Sequence, residues 1–354
     1  MLGILTASGQ CPVLAQEAFF RVLPVLTSRQ FKLDMRANDS SKGPTNQVAT
    51  RVPIGGVIRA DCYQASTREK IETMWEGVAL RFSSKPILVV GPYVGEFGHE
   101  IMGFQSFVRA FRRKYREVHV ITYPRREPLY RGCVVHSHSF DLRTAGYGYG
   151  RMPDSEIRQY ARDFARARQF ASYDLFSTAH LRTRWHRRLL FRQEHEIIGP
   201  RQAAPPSQKI VFHFRSIDKM GSDRTRNFRP DLAQAVCDLC QERGLQLACI
   251  GHPRYSLCPS GCEDCRTEDL ERTVAVISAG KLAAGELSGP LHLAAYGGRP
   301  IVIWAPGEER IAYARKRNPF NVRVFVVRND TTNPPPDEIV SKIQHAVAVL
   351  DRRG

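Results

Sequence analysis

From residue 86 onward, apolar residues along this chain fall into two alternating signals. Pro86 to Val90 (PILVV) is an unbroken apolar run bounded by Gly91 and Pro92, the pattern of a strand buried on both faces. The loop Gly91 to Glu100 (GPYVGEFGHE) follows. From Ile101 to Tyr115 the period changes to that of a helix, for which a start one turn earlier is the alternative. Ile101, Phe104, Phe107, Val108 and Phe111 share one face, and Arg112, Arg113 and Lys114 crowd the end where the helix dipole favours cations. Val118 to Thr122 is again strand-like. The series predicts a parallel strand pair joined by a right-handed crossover.

The same alternation resumes after Pro200 to Gln208, whose Ala-Ala-Pro-Pro run reads as the best linker in the chain. Strands are predicted at Lys209–Phe214, Leu245–Ile250, Lys281–Ala284, Pro300–Trp304 and Val322–Val327. Helices are predicted at Pro230–Arg243, Glu268–Ala279, Gly289–Tyr296, Glu308–Lys316 and Asp337–Asp351. Such alternation specifies a doubly wound α/β sheet, which binds ligands outside the carboxyl ends of its strands. Between the two regions, Tyr147 to Gly150 reads as loop, and Ser155–Phe170 and Thr178–Phe191 as helices, the second strongly basic. Ahead of them, Ala37 to Gln47 is polar and reads as loop or disorder, and Ser66 to Leu80 as a short helix. The expected organisation is an N-terminal extension, partly disordered, over 1–84, a Rossmann-like domain over 85–200 and a second over 207–354.

Composition narrows the class. A chain of 354 residues has room for two such domains. No run of about 18 apolar residues exists, so no transmembrane helix is expected. Glu17 and Arg21 interrupt the apolar stretch from Cys11 to Thr27, and no basic segment precedes it, so a signal peptide is not expected either. Nine cysteines, an odd number, suit a reducing compartment, and the cytoplasm is the expected location. Lys and Arg number 52 against 35 Asp and Glu, a net charge of +17 that attracts phosphates. Nucleic acid, the anionic inner face of a membrane and a sugar nucleotide are all phosphate partners. In the Arg-rich stretch between Arg151 and Arg201, aromatic interleaving of the kind that stacks bases is sparse, which argues against nucleic acid. A solvated basic face accounts for that stretch equally well.

The strongest local signal runs from Glu286 to Trp304. A strand leads into Ser288 and Gly289, which open a helix carrying Pro290 in its first turn, and His292 stays near the same end. Backbone N–H groups and the positive end of the dipole then point at one spot, as a diphosphate site requires. An ordinary capped helix would show the same local pattern. The segment also resembles the donor motif of the ADP-heptose–lipopolysaccharide heptosyltransferase family, roughly D-[ST]-G-x-x-H-L-A-A-x-x-G-x-P. Ser288, Gly289, His292, Leu293, Ala294, Ala295, Gly298 and Pro300 match in register. The family's acidic residue directly precedes its hydroxyl residue, whereas here Leu287 separates Glu286 from Ser288.

Weaker similarity extends to Gly95-Glu96, where the family has a Gly-Asp pair. Arg226-Asn227-Phe228-Arg229-Pro230 lies where the family has Lys-x-Trp-Pro, and Asp269 to Gly280 is similar to the helix before the donor motif. The resemblance implies two Rossmann-like domains of GT-B type facing across a cleft. It also implies transfer of a sugar from a nucleotide-activated donor to a hydroxyl of a glycan or glycolipid acceptor, with inversion. Inversion needs a general base, and Glu96 is the first candidate, Glu100 the second and His99 the third. Both glutamates would equally complement a helix N-terminus. The leaving nucleoside diphosphate needs cations, for which Arg215, Arg224 and Arg226 are candidates beside Ser288, Gly289, Pro290 and His292. No Asp-x-Asp motif stands in the chain, so neither a metal nor another cofactor is expected. The same fold and basic helices would also serve a non-catalytic phosphate- or nucleic-acid-binding protein.

Cys258, Cys262 and Cys265 form a C-x3-C-x2-C cluster. That spacing suits an iron–sulfur cluster of radical S-adenosylmethionine enzymes, but too little chain follows it for their barrel. The three thiols with His252 would suit a structural zinc, and a loop with free thiols is the plainer expectation. His136 and His138 are read as loop residues.

Overall fold

The computed structural model describes residues 67–140, 152–181, 193–202, 205, 207–217, 226–329 and 331–352. The expectations for residues 1–66, for the loop at Tyr147–Gly150 and for most of the basic helix Thr178–Phe191 lie outside the described residues. At its start, Thr178–Leu181 is a 3-10 turn rather than an α-helix.

Two parallel sheets organise the chain. Helix α1 (Thr67–Phe82) leads into β1 (Ile87–Val90). Three helical pieces follow: a turn Phe97–His99, a π-helical turn Glu100–Phe104, and α2 (Gln105–Arg112). Next come β2 (Glu117–Thr122), a 3-10 turn at Glu127–Tyr130, β3 (Val134–Ser137), α3 (Asp154–Ala167) and β4 (Tyr173–Phe176). The strand order is β3-β2-β1-β4, parallel throughout. Leu88 and Val90 turn to one core and Val89 to another, where it meets Ile121, Ala161 and Ala165 under α3. Burial on both faces is why PILVV shows no polar alternation.

The second sheet contains β5 (Ile210–Arg215), β6 (Leu247–Cys249), β8 (Glu263–Asp264), β9 (Leu282–Glu286), β10 (Ile301–Pro306) and β11 (Val324–Asn329). Their order is β11-β10-β9-β5-β6-β8, and the short β7 (Ser256–Leu257) pairs antiparallel with the end of β5. Helices α4 (Pro230–Glu242), α5 (Leu270–Ala279), α6 (Gly289–Tyr296), α7 (Glu308–Lys316) and α8 (Pro336–Asp351) connect and cover it. Alternation along β5 sends Ile210, Phe212 and Phe214 into one core with Trp304 and Phe228, and sends Val211 into the core that also holds the first sheet's helices. His213 and Arg215 share the side of Val211.

Three elements differ from the sequence reading. His136 belongs to a strand, β3, rather than a loop. Its exposed, edge-strand surroundings leave little apolar pattern to detect. The helix read over Ile101–Tyr115 starts a turn earlier, at Phe97, which the sequence also allowed, but it passes through a π turn and ends at Arg112. A strand that the sequence did not signal, β4, is interrupted by Asp174, whose carboxylate is buried and accepts a hydrogen bond from the Tyr115 hydroxyl at 2.8 Å.

Candidate functional site

The second sheet reverses its direction of growth between β5 and β9. From β5 the chain adds β6 and β8 on one side, then returns to lay β9, β10 and β11 on the other. The connections leaving β5 and β9 diverge there, and in sheets of this kind such a switch point, at the strands' carboxyl ends, is where ligands bind. Arg215 ends β5, and Glu286, Ser288 and Gly289 follow one another out of β9 into α6.

His213 links the two strands. Its Nδ1 lies 3.0 Å from the Ser288 hydroxyl, so Ser288 is held by an imidazole and places no cap on α6. Burial pushes the His213 pKa down to about 3, helped by the Arg215 and Arg226 guanidiniums, so the ring is neutral. The loop after β6 closes over it at Gly251, which has φ +118°. A Cβ there would stand 2.8 Å from the imidazole, so only glycine fits.

Arg226 joins the same corner. Its Nε donates to Glu286 at 2.6 Å and its Nη2 to the Leu287 carbonyl at 2.6 Å. Glu286 is 1% exposed. Burial raises its pKa, while Arg226, Arg215 and Arg310 pull it down. Arg215 donates to Asn227 Oδ1 at 3.2 Å, and Phe228 packs on Phe214 and Trp304, with centroids 5.4 and 5.3 Å away. The aromatic anchor thus fixes the loop that delivers Arg226. A buried carboxylate with three arginines around it gives this corner a surplus of positive charge at a helix N-terminus, where an anion is stabilised.

The first sheet presents its own carboxyl edge to this spot. A Cβ on Gly289 would stand 2.8 Å from the Phe97 ring. One on Gly98 would stand 3.9 Å from both the Gly289 Cα and the His292 ring. The turn Phe97–His99 therefore sits on the start of α6. His292 is buried and neutral, its pKa pushed down to about 3 by burial, with His99, Arg317 and Arg226 adding to the effect. Glu96 precedes the turn. Its carboxylate is 3.8 Å from His99 Nε2 and its side chain 37% exposed, while its backbone carbonyl accepts from the Tyr93 hydroxyl at 2.6 Å.

Glu100 is turned away from the edge. It is fully buried, and its Oε1 accepts from Thr122 at 2.5 Å and Tyr130 at 2.8 Å. Its Oε2 faces Arg126 Nε at 3.5 Å. Burial raises its pKa against the pull of Arg126, Thr122 and Tyr130. The Arg126 guanidinium stacks on Phe97, 4.0 Å from the ring centroid.

The structure thus gathers Glu96, His99, Arg215, Arg226, Ser288, Gly289, Pro290 and His292 around one junction of the two carboxyl edges. Arg224 lies outside the described residues. His213 belongs to the site but was not singled out in sequence, and Glu286 was noted there only as standing one residue further from Ser288 than the family's acidic residue. The signal for His213 was parity: two residues before Arg215 on a buried strand, it shares that residue's face. The cysteine trio is not brought together. Cys258 and Cys262 pack toward the core on one side of the second sheet, and Cys265 toward the other. His138 is buried, and its Nε2 donates to the Tyr93 carbonyl, 2.7 Å away. Among the described residues, no group of three or more His, Cys, Asp or Glu side chains is arranged to hold a metal ion. No described helix is long and apolar enough to cross a membrane.

No protein-family model matches the sequence, and no curated protein matches it. Solved structures do. The glycosyl transferase family 9 protein from Veillonella parvula DSM 2008 superposes with a TM-score of 0.50 at 10% identity, covering 77% of this chain and 99% of that one. Escherichia coli ADP-heptose lps heptosyltransferase II gives 0.48 at 13% identity, covering 75% and 99%. E. coli heptosyltransferase WaaC with ADP gives 0.42 at 10% identity, covering 75% and 99%. The Veillonella match shows the fold: two Rossmann-like α/β units of the GT-B type.

Proposed function

We propose that this chain is a glycosyltransferase that moves a sugar from a nucleotide-activated donor to a hydroxyl of a glycan or glycolipid acceptor. The observation that carries the reading is the junction at α6. A helix N-terminus without a side-chain cap, with Arg215 and Arg226 beside it, lies against the Phe97–His99 turn of the other sheet, which Glu96 precedes. The GT-B fold and the match of Ser288, Gly289 and His292 to a nucleotide-sugar motif support it.

In this reading the diphosphate lies at the start of α6, against the backbone N–H groups and the two arginines. As the sugar–phosphate bond breaks, charge builds on the leaving oxygen, and these groups stabilise it more than they stabilise the bound donor. The arginines supply the positive charge that the chemistry needs. Glu96 takes the proton of the acceptor hydroxyl, and attack from the face opposite the diphosphate inverts the anomeric centre. Its neighbour His99 orients it. Glu100 acts at one remove, by holding Arg126 against Phe97. The domain division follows the sheets, with residues 85–200 serving the acceptor, 207–354 the donor, and a linker at 200–208. The basic surplus suits an acceptor presented at an anionic membrane surface.

The test is release of nucleoside diphosphate from a panel of nucleotide sugars, assayed with and without oligosaccharide and glycolipid acceptors. Acceptor-dependent release that disappears in Glu96→Gln supports the proposal. A panel in which no donor is turned over or bound contradicts it.

A further inference from the structure

The thiols of the second sheet make a cluster that the proposed transfer does not use. Cys262 Sγ lies 3.0 Å from Cys237 Sγ. Cys237 faces inward from α4, Cys262 sits in the loop after β7, and Cys249 on β6 also donates toward Cys262. Cys237 and Cys249 are buried, whereas Cys262 is partly exposed. Four sulfurs round a zinc ion, each about 2.3 Å from it, would stand about 3.7 Å apart. The 3.0 Å pair is inside that spacing, and it is already close to bonding distance, which lies about 1 Å shorter.

The loop is docked where the pair needs it. Gln234 on α4 accepts from the Ser260 amide at 2.9 Å, and Gln241 donates to the Gly261 carbonyl at 2.6 Å. Gly261 has φ +80°, and a Cβ there would collide with Gln241. These contacts hold Cys262 over Cys237 from both sides of the turn. The Cys237 and Cys249 thiols donate to Cys262 and hold its pKa down, while the same contact and burial hold that of Cys237 up, so the thiolate of the pair that exchange requires sits at Cys262.

We propose that Cys262 is a site of oxidative modification by low-molecular-weight disulfides, with Cys237 as its resolving thiol. The Cys262 thiolate attacks one sulfur of oxidised glutathione, forming a mixed disulfide and expelling one glutathione thiolate. Cys237 then loses its proton and attacks the Cys262 sulfur, expelling the second glutathione thiolate. Two protein thiols become one disulfide, and one glutathione disulfide becomes two thiols. The bond ties the loop to α4. Because β7 in that loop pairs with Phe214 and Arg215 of β5, the clamp reaches the end of the strand that carries Arg215.

The experiment uses the full chain, purified under reductant and equilibrated at neutral pH with mixtures of oxidised and reduced glutathione. Free thiols are then alkylated and the peptides mapped by mass spectrometry, with elemental analysis of the same sample. The expected result is a Cys237–Cys262 linked peptide with the other cysteines alkylated. Cys237→Ser should instead retain glutathione on Cys262, and Cys262→Ser should lose both products while keeping its thermal transition. Three results would each overturn the proposal: glutathione persisting on Cys262 of the native chain, a link from Cys262 to Cys249, or a stoichiometric metal ion that withholds the cluster from alkylation.

Discussion

Each sheet carries, near its carboxyl edge, a buried glutamate facing an arginine, and the surroundings of the two pairs differ. Glu100 is held mainly by hydroxyls: Thr122 and Tyr130 both donate to Oε1, while Oε2 has no hydrogen-bond partner among the described residues and faces Arg126 at 3.5 Å. Among those residues Glu286 has no hydroxyl on it but Arg226 at 2.6 Å and Arg310 at 4.0 Å, and like Glu100 it keeps one oxygen without a hydrogen-bond partner. A carboxylate surrounded by hydroxyls is a fixture of the core. One surrounded by guanidiniums at a strand end leaves positive charge for a ligand to use. In the proposed reading the first pair is scaffold and the second serves ligand binding, with Glu96, partly exposed between them, as the base.

The largest expected effect separates Glu96 from Glu100. Glu96→Gln keeps the size of the side chain and removes the base. Steady-state turnover should fall by about 10² to 10⁴, with nucleotide affinity nearly unchanged. If Glu96→Gln stays active while Glu100→Gln is dead, the base has been placed on the wrong glutamate. Next in size is stability. Glu100→Ala leaves Arg126 without its partner and should cost about 3–5 kcal/mol in a denaturant titration. Glu286→Ala should spend more of its effect on nucleotide affinity than on the unfolding midpoint. Equal unfolding penalties with unchanged affinity would erase the distinction between the two pairs.

The two regions were not equally legible in sequence. The strands β5, β9 and β10 and the start of α6 were readable because burial on both faces leaves unbroken apolar runs and because Ser288, Gly289 and Pro290 punctuate a helix start. Much of the first sheet was harder. Asp174 breaks the pattern of β4, and its partner Tyr115 is far off in sequence, so nothing local announces that the charge is satisfied. The π turn at Glu100–Phe104 likewise depends on packing, not on residue spacing. His213, and the role of Glu286, were hidden because their meaning comes from pairing. One needs Ser288 across the sheet, and the other needs Arg226, which arrives from a distant loop.

A smaller effect sharpens the ligand side. Arg215→Glu should weaken nucleoside diphosphate binding by on the order of 2 kcal/mol or more, measured by titration calorimetry. Undiminished binding would move the site elsewhere.

The smallest effect is a pH dependence. In the unfolded chain His213 has its ordinary value of 6.5, and folding lowers it to about 3. Its contribution is therefore complete above 6.5 and is lost as pH falls through that value toward the folded one. Compared with His213→Gln, the native chain should lose about 1.4 kcal/mol more stability between about pH 7.5 and about pH 5.5. Parallel stability curves for the two would mean that the imidazole is solvated and does not bridge β5 to Ser288.

The central claim is that a nucleoside diphosphate binds at the start of α6, and thermal unfolding of the native chain against a panel of nucleoside diphosphates and nucleotide sugars tests it most directly. At about 100 times its dissociation constant, a true ligand should add about 2.7 kcal/mol of stability. The account predicts that stabilisation for at least one nucleotide and its loss in Arg215→Glu. A panel that leaves the transition of the native chain unmoved, or that stabilises Arg215→Glu equally, would contradict it.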